Sequence, residues 1–155
     1  MNKILWILLV LLAACATSNA NDTLPLEQRI IAAIKIGRYA DAIALVEGSD
    51  YSRAEKDFSI GELVLQGWSD DKAQQPPVET VEMGIELLEK SAIAGHQQAI
   101  SGLAGLFYTG LRNDASGQIW VAANKALQDC WEAAKGVPNK ASACIAMRVT
   151  LIKGK

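Results

Sequence analysis

Acid–base and nucleophilic chemistry would have to be assembled in this chain from very few parts. It has one histidine, His96. A histidine-based hydrolase needs a nucleophile hydrogen-bonded to that ring and a carboxylate behind it. His96 instead follows Gly95, at the point where a helical pattern stops, and is read as structural. The paired carboxylates, Asp70-Asp71 and Glu79 with Glu82, fall on a loop and at a helix start. Acidic residues are expected near a helix N-terminus from the dipole alone, so these are read as solvated rather than as a general acid–base pair. Zinc asks for three or four ligands, which Cys130 and Cys144 do not supply without a neighbouring histidine. No glycine-rich loop runs into a Lys-Ser or Lys-Thr pair, so no phosphate cradle is expected. The expectation is a protein that is not an enzyme, with no metal, no cofactor and no small-molecule substrate.

Charge narrows the classes further. Fifteen basic and 17 acidic residues give a net charge of −2, and Lys and Arg are scattered singly. A nucleic-acid partner would call for a basic footprint, and none is present. Covalent chemistry remains at the cysteines. Cys130 and Cys144 each lie seven residues from Val137, in a connection that contains Gly136 and Pro138. Equidistant positions of an antiparallel helical hairpin face each other across the seam, within the ~4.4–6.8 Å between Cα atoms that a disulfide needs. In an oxidising compartment such a bond would contribute about 2–4 kcal/mol. The other reading is two reduced, buried thiols acting as small apolar side chains.

The elements that would position these residues are helical. Ala99, Leu103, Leu106 and Phe107 form one apolar stripe at i, i+4, i+7 and i+8. The pattern predicts seven helices, over 26–36, 38–48, 53–66, 78–94, 97–109, 117–135 and 140–152, and no strand. Gly67, Gly95, Gly110 and Gly136 are read as helix stops. Tyr39, Phe58, Phe107, Trp120 and Trp131 are placed mainly in the core, while Trp68 and Tyr108 flank two of the helix-ending glycines. An octapeptide also recurs: residues 60–67 read I-G-E-L-V-L-Q-G and residues 103–110 read L-A-G-L-F-Y-T-G, 43 residues apart. Such self-similarity marks stacked helical hairpins. Gly61, inside the first copy, costs about 1 kcal/mol against alanine in a helix, which close contact with a neighbouring helix would offset.

At these residues the chain resembles the Sel-one-like repeat family, relatives of the tetratricopeptide repeats. Residues 60–67 and 103–110 match the family's L-G-x-L-Y-x-x-G half. Val64 and Phe107 stand for the tyrosine and Ala104 for the glycine. Residues 90–99, K-S-A-I-A-G-H-Q-Q-A, match the second half. Gly84 replaces the usual alanine, and Leu87 stands where tryptophan is common. Residues 30–47 are similar to a tetratricopeptide hairpin, with Gly37, Tyr39, Ala42 and Ile43 at favoured positions. Residues 147–154 read as a capping helix. The resemblance implies an all-α fold, a short α/α solenoid of antiparallel hairpins over residues 26–154. It further implies a concave surface, lined by the first helix of each hairpin, that binds another protein. The positions off the apolar stripe that would meet such a partner are Glu62, Gln66, Gln98, Ser101, Tyr108 and Arg112.

The first residues carry an address. One lysine precedes an apolar run too short to span a bilayer, the pattern of a signal peptide. Leu12-Ala13-Ala14-Cys15 resembles the bacterial lipobox. That resemblance implies removal of residues 1–14, lipidation of Cys15 and a flexible tether over 15–25. Ala16 after the cysteine is similar to the sorting pattern for the outer membrane, facing the periplasm. Two or more acyl chains hold a membrane stably where one does not. The rival cut lies after Ala20, which would leave a soluble periplasmic or secreted protein. The expected role is a non-catalytic binding scaffold of the cell envelope, with a periplasmic immunity or inhibitor protein as the alternative.

Overall fold

The computed structural model describes residues 24–70, 73 and 80–153. The expected signal segment, Cys15 and nearly all of the expected tether lie outside the described residues. Seven α-helices follow: α1 (Leu26–Lys35), α2 (Tyr39–Glu47), α3 (Arg53–Ser69), α4 (Val81–Ile93), α5 (Gln97–Thr109), α6 (Lys125–Ala134) and α7 (Ala141–Lys153). A small antiparallel hairpin, β1 (Leu111–Arg112) and β2 (Ile119–Val121), stands between α5 and α6. The fold is all-α, and each helix packs chiefly on its neighbours in the chain, most extensively α3 on α4 and α5 on α6.

Local sequence explains where the helices start. Ser52 accepts the Glu55 backbone N–H at 3.3 Å, while the Glu55 carboxylate accepts the Ser52 N–H at 2.8 Å, a reciprocal cap. Thr80 caps α4 by accepting from Met83 N–H at 3.2 Å, and Asn124 caps α6 by accepting from Leu127 N–H at 3.1 Å. α5 stops at Gly110, whose φ of 75° lies in the left-handed region. A Cβ there would sit 2.5 Å from the Val121 carbonyl oxygen, so the hairpin closes against this glycine and needs its missing side chain.

Three expectations are corrected. Gly67 does not stop its helix: α3 runs through it to Ser69. Trp68 packs against the cluster around Tyr39 and Val46, and that burial carries the helix onward. The helix expected over 117–135 begins only at Lys125, and residues 119–121 form a strand where none was expected. Asn113 turns the chain there, its side-chain oxygen accepting the Ser116 N–H at 2.8 Å and its carbonyl accepting the Gly117 N–H at 2.9 Å. Ile119, Trp120 and Val121 have the branched and aromatic side chains that suit a pleated strand. Trp120 consequently lies on this hairpin, partly exposed and edge-on to Trp68 with ring centroids 5.0 Å apart, rather than in the core.

Two apolar clusters make up the core. One gathers Tyr39, Ile43, Val46, Leu63 and Val64; the other gathers Leu88, Ile100, Leu103, Phe107 and Trp131. The octapeptides are equivalent in burial over much of their length. Gly61 and Ala104, Leu63 and Leu106, and Val64 and Phe107 are buried, while Glu62 and Gly105, and Gln66 and Thr109, are exposed. α3 and α4 cross at glycines. A Cβ on Gly61 would lie 2.9 Å from the Gly84 carbonyl oxygen, and one on Gly84 would lie 3.0 Å from a Val64 methyl. The near contact of the two backbones is the offset for a glycine inside a helix.

Polar groups fasten the layers. The Ser91 hydroxyl donates to the Ala54 carbonyl at 2.7 Å, tying α4 to the start of α3. Arg148 of α7 is buried and donates from Nε and Nη2 to both carboxylate oxygens of buried Glu89 on α4, at 2.6 and 2.7 Å. Its Nη1 donates to Glu82, which is therefore not simply solvated. These carboxylates, Glu89 first, hold the guanidinium pKa above its already high ordinary value. Cys130 on α6 and Cys144 on α7 form a disulfide with Cα atoms 5.6 Å apart.

Candidate functional site

Stripes of α3 and α5 that lie off the main apolar seam face one another across a groove. On α3 the stripe is Phe58, Glu62, Gln66 and Ser69, at i, i+4, i+8 and i+11. On α5 it is Gln98, Ser101 with Gly102, and Thr109. Two cavities of about 380 and 440 Å³ run end to end, and Glu62 and Gly102 line both. Glycine at 102 makes room for this junction, because a Cβ there would lie 2.9 Å from the Glu62 Oε1.

Four of the six expected contact residues come together in this groove: Glu62, Gln66, Gln98 and Ser101. Tyr108 is 67% exposed on α5, and Arg112 is exposed on β1; neither lines the groove. Phe58, Gly102, Ser69 and Thr109 line it and were not expected. The stripe spacing would have found them, since Phe58 and Ser69 extend the Glu62–Gln66 line at helical intervals and Gly102 adjoins Ser101.

Electrostatics single out Glu62. It is the one charged side chain among the groove's lining residues, and it makes no hydrogen bond or ion pair among the described residues. It keeps solvent-accessible surface, yet the two helices flank it and strip part of its hydration, which raises its carboxyl pKa above the usual range. No group of three or more His, Cys, Asp and Glu is placed to hold a metal ion among the described residues.

The remaining candidates are paired internally, except His96, whose buried Nδ1 has no hydrogen-bond partner among the described residues. A cavity of about 430 Å³ on the α3–α4 side contains Arg53 paired with Asp57 at 3.0 Å and Lys56 donating to the Glu47 carbonyl at 2.9 Å. Asp70 accepts the Tyr39 hydroxyl at 2.7 Å. Burial first, and that bond second, push the Tyr39 phenol well above its ordinary pKa. The His96 ring lies against Phe58 at 4.7 Å, and its backbone carbonyl accepts from Ala99 and Ile100 at the start of α5. No helix of the described residues is long and apolar enough to cross a membrane.

Comparison of the chain with family models, curated proteins and solved structures finds no match. A functional reading therefore rests on the groove's residues and geometry together with the sequence motifs.

Proposed function

We propose that this chain is a non-catalytic, protein-binding repeat scaffold of the bacterial cell envelope, tethered through a lipidated Cys15. Its partner is held in the groove between α3 and α5. The observation that carries the reading is the juxtaposition of the two helices that carry the recurring octapeptide, which line an open groove with side chains that are neutral except at Glu62. Glutamine amides and hydroxyls of this kind suit hydrogen bonding to another chain's backbone and side chains. The open form of the groove suits an extended segment better than an enclosed small molecule.

In-cell photocrosslinking tests it. A photoreactive residue at Gln98 or Ser101 should trap a defined protein, identified by mass spectrometry, whereas one at exposed Glu86 on α4 should not. Equal trapping from Glu86 would remove the groove from the reading. The tether is tested separately: Cys15→Ser should abolish incorporation of labelled palmitate, and a wild-type chain that takes up no label is not a lipoprotein.

A further inference from the structure

Glu62 sets the chemistry of the partner, if the groove is a partner site as proposed above. It stands at the junction of the two cavities, the point every occupant of the full groove must pass. Its carboxylate has no cation among the described residues, and its neighbours in the groove are neutral: Phe58, Gln66, Gln98, Ser101 and Gly102. A partly desolvated carboxylate without a partner is costly to hold in a folded protein, and an incoming cation relieves that cost. Gly102 adds a steric argument. Its missing side chain leaves the α5 wall open beside the carboxylate, where a side chain would otherwise crowd Oε1.

The groove's length fixes the kind of occupant. From Phe58 to Ser69 the α3 stripe covers eleven residue steps, about 16 Å at the helical rise of roughly 1.5 Å per residue. An extended peptide advances about 3.3 Å per residue, so about five residues fill the groove. One residue of the five would lie over Glu62.

We infer that the groove between α3 and α5 takes an extended peptide segment carrying one lysine or arginine, whose cationic head meets Glu62. The apolar stem of that residue lies toward Phe58, as long basic side chains lay their methylenes on apolar surface while the head stays polar. Gln66 and Gln98, on opposite walls, hydrogen-bond the flanking backbone.

The test is binding of a peptide array by the full chain, with fluorescence polarisation of the hits. The array holds pentapeptides with a central arginine or lysine, and a matched set with citrulline or norleucine there. The expected result is at least tenfold tighter binding of the cationic members. Glu62→Gln should erase that preference, and Glu62→Lys should transfer it to peptides with a central glutamate. Both substitutions are at an exposed position and should leave the far-ultraviolet circular dichroism unchanged. Peptides that bind at Ser101, shown by crosslinking, but with equal affinity for arginine and citrulline members, overturn the charge assignment and leave the scaffold reading standing. Absence of any array binding at Gln98 or Ser101 overturns both.

Discussion

Two seams of the stack are closed by opposite means. Where α3 meets α4, the seam works by subtraction: Gly61 and Gly84 remove side chains so that one helix nearly touches the other's backbone. Where α6 meets α7 and α7 meets α4, the seam works by addition. Trp131 is wholly buried, a disulfide joins Cys130 to Cys144, and a buried guanidinium bridges Arg148 to Glu89 and Glu82. The difference teaches that close packing suffices between long helices in the middle of the stack. The last helix has a neighbour on fewer sides, and covalent and ionic ties make up for the missing contact.

The largest effect that would break this comparison is at Arg148. Arg148→Ala leaves Glu89 buried and unpaired, and removing one partner of a buried pair costs about 3–5 kcal/mol. Urea unfolding at neutral pH should show that loss. The double variant Arg148→Met with Glu89→Leu should recover most of it, because a buried ion pair is often replaceable by apolar groups of similar size. A single variant as stable as the wild type would show that α7 is held by its apolar contacts alone.

Next in size is the disulfide. It spans 14 residues, and opening a loop of that length costs about 3 kcal/mol. Reduction of the unaltered chain with dithiothreitol should lower the urea midpoint by the corresponding amount. Hydrogen exchange should report the loosening in α6 and α7 ahead of α3 and α4. An unchanged midpoint after verified reduction would make the bond incidental to the seam.

The glycine seam predicts a smaller, sharper contrast. Gly61→Ala drives a methyl onto a backbone oxygen that cannot step aside, an overpacking cost of about 1–3 kcal/mol. Gly102→Ala meets only the tip of the Glu62 side chain, which can swing away. It should instead gain up to about 1 kcal/mol from helix propensity. Thermal melts of the two variants should therefore move in opposite directions. Two shifts of the same sign would mean that Gly61 and Gly84 do not set the crossing.

Most of the fold is legible in the sequence because apolar spacing and caps act locally. The 3.6-residue stripes mark α1 to α5 and α7 to within a few residues. Gly95, Gly110 and Gly136 end their elements at left-handed turns. Gly67 shows the limit. Its type reads as a stop, but the packing of Trp68, a tertiary effect, decides against it. The hairpin at residues 111–121 fails for the same reason, since its strands are too short to show alternation and depend on Gly110 and Asn113. Sequence separates the groove's residues into those off the apolar stripe and those on it, and this picks out Glu62, Gln66, Gln98 and Ser101. It does not show that Phe58, packed on the edge of the core, also lines the groove beside them or that Gly102 opens the wall. Those depend on how α3 and α5 face one another across α4, which no local pattern encodes.

The smallest expected stability effect falls on Glu62 and is the most informative, because stability and binding should part there. Its pKa is raised in the folded chain by lost hydration. For an acid so shifted, the folded state holds its proton to higher pH than the unfolded state does. Stability therefore falls as pH rises through the interval between the unfolded and folded values, and the penalty persists above it. Glu62→Gln removes the penalty, so its melting temperature at neutral pH should equal or slightly exceed that of the wild type, and the gap should close below the ordinary carboxylate range. Peptide binding should change the other way. Affinity for an arginine peptide needs the carboxylate, so in the wild type it should weaken as pH falls through the raised value, and in Glu62→Gln it should be weak and flat. The other groove-lining groups of α3 and α5 are neutral, and the His96 ring lies tilted against one of them, Phe58. His96→Gln is the control: the acid-side loss should persist in that variant. If it vanished there, the histidine rather than Glu62 would govern the groove's response to pH. A Glu62→Gln chain less stable than the wild type at neutral pH would show that the carboxylate is a structural group, and the division between a rigid glycine seam and a responsive groove would not hold.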